Sequence, residues 1–173
     1  AGSGGRGLDR PAALEPRLIV TAAPSARPDR PVRLATVGVR RNQRSPVSAL
    51  KSLSYLDQVL ARREALARGA EDALMLNTAD QIACASAANV FWVRDGQLET
   101  PALTCGVLPG IMRRRVLALA RVREVTTASL DGIQAMFLTN SLVGLREVSS
   151  LDGRPFAGSA LVSELEAALN PEL

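Results

Sequence analysis

Between Ala73 and Thr100 lie four short runs with β character, Ala73–Asn77, Gln81–Ala85, Asn89–Arg94 and Gln97–Thr100, and only Asp95-Gly96 separates the last two. An Asp-Gly pair supplies the positive-φ positions of a two-residue hairpin turn, so the flanking runs pair antiparallel and the chain must build a sheet. Val32–Arg40, Arg123–Thr127, Met136–Thr139 and Leu145–Ser149 read as further strands. Helices are expected at four places. In the first, Ser54 and Asp57 resemble a capping box, Leu56, Val59, Leu60, Arg63, Leu66 and Ala67 trace an i, i+3, i+4 face, and Gly69 suits the position after the end. The second runs from Gly110-Ile111-Met112 through Arg121 with Val116, Leu117 and Ala120 on one side, and the third covers Ala160–Leu169; Ser129–Ala135 reads as a shorter helix. The expected fold is therefore α+β, with an antiparallel-rich sheet flanked by helices.

Pro24, Pro28 and Pro31 fall within eight residues, a density that neither a helix nor a sheet tolerates. The chain opens without a methionine on Ala1-Gly2-Ser3-Gly4-Gly5, and Arg17–Thr21 is a short β run before the prolines. Residues 1–26 are thus expected to be the C-terminal tail of a smaller domain plus a linker, and residues 27–173 the large domain. With 173 residues, 47% of them hydrophobic, the chain can bury a substantial core. No uninterrupted apolar run is long enough to span a membrane and no secretory signal is present, so a cytoplasmic protein is expected. Histidine is absent, which excludes His-based triads, and Cys84 and Cys105 lack metal-ligand spacing. A net charge of +4 raises the question of nucleic acid, but the arginines are scattered and aromatic residues make up only 3%. Without a stacking platform, no nucleic-acid partner is expected.

Of the 21 Lys and Arg residues, one is lysine, Lys51, and 20 are arginine. A composition that favours arginine wherever a positive charge suffices draws attention to the position where it was not used. Guanidinium stays protonated and does not attack a carbonyl, whereas a primary amine can form a Schiff base. A surviving surface lysine is the alternative. Leu108-Pro109-Gly110-Ile111-Met112 puts a glycine where a loop enters a helix, so unpaired N–H groups there can face an anion; many such junctions bind nothing. Thr139-Asn140-Ser141 follows a strand with three small hydrogen-bonding side chains, suited to a phosphate contact or to a plain turn. An imine-forming lysine plus a phosphate cradle is the minimum equipment for pyridoxal 5'-phosphate.

The segments Lys51-Ser52-Leu53-Ser54-Tyr55-Leu56, Glu71-Asp72-Ala73-Leu74-Met75-Leu76-Asn77, Ser86-Ala87-Ala88-Asn89-Val90-Phe91-Trp92, Leu108-Pro109-Gly110-Ile111-Met112-Arg113 and Leu138-Thr139-Asn140-Ser141-Leu142 follow one another in the order and spacing of the class IV, fold-type IV pyridoxal-phosphate enzymes. The chain resembles that family over about residues 30–150, and its 4-amino-4-deoxychorismate lyase branch more than its branched-chain or D-amino-acid aminotransferases. The resemblance implies a β-barrel-like sheet, a small N-terminal domain largely missing from this chain, a homodimer, and an amino-acid-like small-molecule substrate. It implies that Lys51 joins the cofactor aldehyde and later moves a proton. It further implies that Ile111 and Met112 offer backbone N–H groups to the phosphate with Gly110 at the junction beside them, that Asn140 and Ser141 complete that cup, and that Leu108 packs on the ring. For the lyase it implies elimination of pyruvate from aminodeoxychorismate to leave 4-aminobenzoate for folate synthesis; for an aminotransferase, amino-group transfer. One position departs from the pattern: where the family carries a glutamate against the pyridine nitrogen, five residues before Asn89, this chain has Cys84. A neutral thiol cannot stabilise a pyridinium as a carboxylate does. A homologue that binds cofactor without turnover is therefore the third reading.

Overall fold

The computed structural model describes residues 13, 18–24, 26, 28 and 30–169. Its elements are β1 (Val32–Arg41), a 3-10 turn (Pro46–Ala49), α1 (Leu56–Ala67), β2 (Asp72–Asn77), β3 (Ile82–Ala85), β4 (Asn89–Arg94), β5 (Gln97–Pro101), a second 3-10 turn (Leu103–Cys105), α2 (Ile111–Leu119), β6 (Val122–Val125), β7 (Ile133–Asn140), β8 (Gly144–Leu151), β9 (Arg154–Pro155) and α3 (Ala160–Leu169). One nine-stranded sheet runs β3-β2-β1-β8-β7-β4-β5-β6, with β9 paired to β8. It curls into a half-barrel, bringing β3 back against β4.

Five strand pairs are antiparallel and three are parallel, so the sheet is mixed, though antiparallel pairs predominate as expected. Two of the parallel pairs, β1–β2 and β5–β6, are β-α-β crossovers through α1 and α2. This topology matters for the site, because each crossover leaves the carboxyl end of its strand through a loop with a 3-10 turn before its helix starts. Residues Asp95 and Gly96 have φ of 50° and 71°, the left-handed pair that a tight hairpin between β4 and β5 requires.

Alternation along the strands separates the core into layers. On β4, Val90 and Trp92 join Leu34, Leu74 and Leu138 inside the curl. Phe91 and Val93 point the other way, towards Met112 and Val116 of α2 and Val162, Leu165 and Leu169 of α3. The Phe91 and Phe137 rings stack there at 5.0 Å. A third cluster sets Ala61 and Ala65 of α1 against Ala35, Val37, Ala73, Met75 and Cys84.

Several local expectations need correction. Helix α1 is capped at Tyr55 without a side-chain bond, so the Ser54/Asp57 capping box does not form; the Ser54 N–H instead donates to Ser52 Oγ at 3.3 Å. Its buried face is Gln58, Ala61 and Ala65, while Leu56, Val59, Leu60 and Leu66 are 66, 50, 42 and 55% exposed. The expected apolar face is therefore the outer one, because small side chains let α1 lie close on β1 and β2. Residues 129–135 do not form a helix: Gly132 at φ 68° ends a turn and Ile133 begins β7, whose ladder with β4 overrides local helix propensity. Helix α2 stops at Leu119 rather than Arg121. Of the run at 17–21, Arg17 lies outside the described residues and residues 18–21 form no strand, with Leu18, Ile19 and Val20 exposed and no described neighbour pairing with them.

Candidate active site

A cleft of about 950 Å³ opens where β1 runs out towards α1, where the 3-10 turn after β5 leads into α2, and where β7 ends. All eight candidate residues line it: Lys51, Cys84, Leu108, Gly110, Ile111, Met112, Asn140 and Ser141. They come from four separated segments, and the curl of the sheet brings them together.

Lys51 follows the 3-10 turn by two residues and is exposed on the cleft wall, with Nζ 5.6 Å from the centre of the Tyr55 ring. The α2 side is built on backbone. Gly110 is the N-cap in extended conformation and has no side-chain cap, so the first N–H groups of the helix, those of Ile111 and Met112, are left for an external acceptor. The loop before it is fixed by the carbonyl of Leu108, which accepts from Gly110 N–H at 2.8 Å and from Asn89 Nδ2 at 2.9 Å. A Cβ at residue 110 would overlap Asn89 Oδ1, which is why the junction takes glycine. Asn89 belongs to the Ala-Ala-Asn motif, but its role at the head of β4, facing the 108–110 loop, is visible only in the fold.

On the third side, Asn140 Oδ1 accepts the N–H groups of Leu142 and Val143, both at 2.9 Å, while its Nδ2 donates to the Ala87 carbonyl at 3.2 Å. Its side chain thus braces the turn and ties it to the β3–β4 loop, leaving the exposed Ser141 hydroxyl as the polar group offered to the cleft. Two further polar atoms line the cleft, buried and without a hydrogen-bond partner: Thr139 Oγ1 and Gln58 Oε1. Sequence reasoning passed over Gln58 because it placed the buried face of α1 elsewhere.

Cys84 on β3 is 8% exposed, and burial pushes its thiol up to about 11 from 9.0; the charge of Arg41 pulls it down and that of Asp72 pushes it up. It is a neutral thiol at neutral pH. Among charged side chains on the cleft, Arg41 and Lys51 oppose the carboxylate of Asp57, a balance that favours an anionic ligand. Among the described residues, no cluster of His, Cys, Asp and Glu suits a metal ion.

The chain is similar to aminodeoxychorismate lyase from Vibrio harveyi, with 29% identity over 163 residues, 87% of this chain and 60% of that protein. A crystal structure from Legionella pneumophila, assigned provisionally as a 4-amino-4-deoxychorismate lyase, superimposes with a TM-score of 0.81 at 35% identity, covering 85% of this chain and 58% of that one. The branched-chain amino acid aminotransferase of Escherichia coli gives a TM-score of 0.87 at 26% identity over 95% of this chain and 59% of that one. The chain spans about 60% of the length of the lyase relative. Residues 1–151 match the family model described as amino-transferase class IV, and the chain belongs to that family.

Proposed function

We propose that this chain is the large, cofactor-binding part of a pyridoxal 5'-phosphate-dependent lyase acting on aminodeoxychorismate, releasing pyruvate and 4-aminobenzoate. One observation carries the reading: an amine, Lys51, and an uncapped helix start, at Ile111 and Met112, line the same cleft. The donor set fits the cofactor. Backbone N–H groups at the start of α2 and the Ser141 hydroxyl suit a phosphate, two partnerless buried polar atoms await a polar ligand, and Leu108 offers an apolar surface to a ring. When bound, the cofactor supplies an electrophilic carbonyl and an electron sink for bond cleavage next to an amine. Lys51 Nζ would hold that carbonyl carbon and, once displaced by the substrate amine, would carry a proton between substrate atoms. Asn89 keeps the Leu108 carbonyl, and with it the Gly110 turn, in place below the phosphate site.

The lyase reading draws on the Vibrio relative, whose similarity extends over 87% of this chain. The similarity to the Escherichia coli enzyme over 95% of the chain supports the second reading, a class IV aminotransferase for branched-chain or D-amino acids. Cys84 supports the third, a homologue that binds cofactor without turnover. Residues 1–26 are proposed as the tail of a small domain plus linker, residues 27–173 as the large domain, and a second copy as the cover of the exposed leucine face of α1. Two buried free cysteines suit the reducing cytoplasm.

The test is the purified protein with pyridoxal 5'-phosphate. Yellow colour, loss of that absorbance on borohydride with a pyridoxyl mass on Lys51, and a colourless Lys51→Ala variant are expected. A colourless protein whose Lys51→Ala variant behaves identically overturns the cofactor reading. Pyruvate release from aminodeoxychorismate, measured beside amino transfer from L- and D-amino acids, then separates lyase from aminotransferase, and transfer without release overturns the first.

A further inference from the structure

Arg41, the last residue of β1, is half buried and sends its guanidinium to two carbonyls on different loops. Nε donates to the Gly106 carbonyl at 2.9 Å and Nη2 to the Ser48 carbonyl at 2.5 Å. Ser48 belongs to the 3-10 turn three residues ahead of Lys51; Gly106 opens the segment that leads into α2. The two loops also touch directly. Gly106 is left-handed at φ 83°, and a Cβ there would stand 2.8 Å from Gln43 Cα. The base is firm: the Arg41 carbonyl accepts from Thr78 N–H at 3.2 Å, and Ser48 Oγ donates to the Asn42 carbonyl at 2.6 Å. The charge of the guanidinium also acts on Cys84, on β3 at the side of the cleft.

We propose that Arg41 is a positioning residue that sets the distance between the Lys51 amine and the anion-binding start of α2, so that a ligand's phosphate and its aldehyde are engaged together. A planar fork with donors on separate nitrogens can hold two carbonyls at once, which an ammonium on a flexible stem does less well. No other described side chain joins these two carbonyls.

This rests on the reading of Lys51 as an imine-forming amine, and the test separates the two. The full chain is titrated with pyridoxal 5'-phosphate and with pyridoxal, which lacks the phosphate, trapped with borohydride, and the pyridoxyl mass on Lys51 is quantified. The ratio of the two midpoints is the advantage conferred by the phosphate. Arg41→Lys and Arg41→Gln are expected to reduce that ratio about tenfold, within the usual range of coupling between two sites. Arg40→Lys, at a neighbour paired with Asp80, leaves it unchanged. An unchanged ratio in both Arg41 variants, or equal weakening of both probes, overturns the proposal while leaving Lys51 chemistry intact; no trapping at Lys51 in the wild type overturns both. A second measurement needs no variant. Inorganic phosphate, which can occupy the helix start without reacting with Lys51, is expected to slow amide hydrogen exchange in residues 46–51 as well as in 108–113. Protection confined to 108–113 also overturns the proposal.

Discussion

Removing the more exposed partner of the Arg113–Glu124 pair is expected to destabilise the protein more than removing the buried one. Arg113 is 4% exposed and Glu124 43%, with Nη2 at 2.6 Å from Oε2; the same nitrogen donates to the Pro101 carbonyl at 3.0 Å, and Nε has no partner. Glu124→Ala leaves a buried guanidinium with one carbonyl and no counter-charge. Stranding a buried charge costs about 3–5 kcal/mol, and the low end applies because water reaches the vacated carboxylate position. Arg113→Met strands only the Pro101 carbonyl, about 1–3 kcal/mol, and is offset by eliminating the unpaired Nε, which already costs a similar amount. Its net cost is about 1 kcal/mol, and Glu124 simply returns to water. Urea unfolding at neutral pH, with equal slopes in the transition, would give the two free energies. A loss for Arg113→Met equal to or greater than that for Glu124→Ala would refute the reasoning.

Cys84 makes the protein sensitive to alkali: its thiol, at about 11, keeps its proton when the unfolded thiol, near 9.0, has lost it. The unfolded state binds fewer protons in that window, so stability falls as pH rises from 9 towards 11, by on the order of 2 kcal/mol, and Cys84→Ala flattens the decline in melting-temperature profiles. At the acid end, the Glu71 carboxyl is held below its ordinary value by the Arg33 backbone N–H and then by the charges of Arg30, Arg33 and Arg146, against the opposing effect of burial. Its contribution is present above pH 4.5 and is lost as pH falls through the lowered value, so Glu71→Gln should make unfolding less steep on acidification. For the proposed dimer, Leu60→Glu on the outer face of α1 should lower the mass in light scattering to that of one chain without lowering the melting temperature of the monomer; an unchanged mass would reject a second copy as the cover.

The strands were legible where pattern and turn chemistry agreed. Asp95-Gly96 located its hairpin because only a left-handed pair closes so short a connection, and Ala160–Leu169 declared itself by a helical period that continues without a break. Residues 129–135 misled because their helix-compatible composition says nothing of β4, the strand that recruits them. The α1 face misled for a related reason: periodicity ranks residues by apolarity, but Ala61 and Ala65 are buried because they are small. The larger apolar residues are displaced to the outer side, and the polar residue among the buried ones, Gln58, becomes a cleft residue.

The site shows the same division between what a residue is and where the fold puts it. Lys51 stood out through its chemistry, as the one amine in a chain of arginines, and Gly110 through its backbone freedom, so both could be named from sequence. Arg41 could not, since twenty arginines look alike until one is seen to hold two loops. In the proposed site, the spacing of the reactive pair depends on it. An amine at residue 51 and N–H groups at residues 111 and 112 are separated by some sixty residues of chain, and each is carried by a loop that leaves the sheet at a different strand. A cofactor with an aldehyde at one end and a phosphate at the other tolerates little error in that separation, because an error of about 1 Å in placing reacting groups can cost about a hundredfold in rate. The carbonyls of Ser48 and Gly106, gathered by one guanidinium, are where the fold converts strand order into that fixed distance.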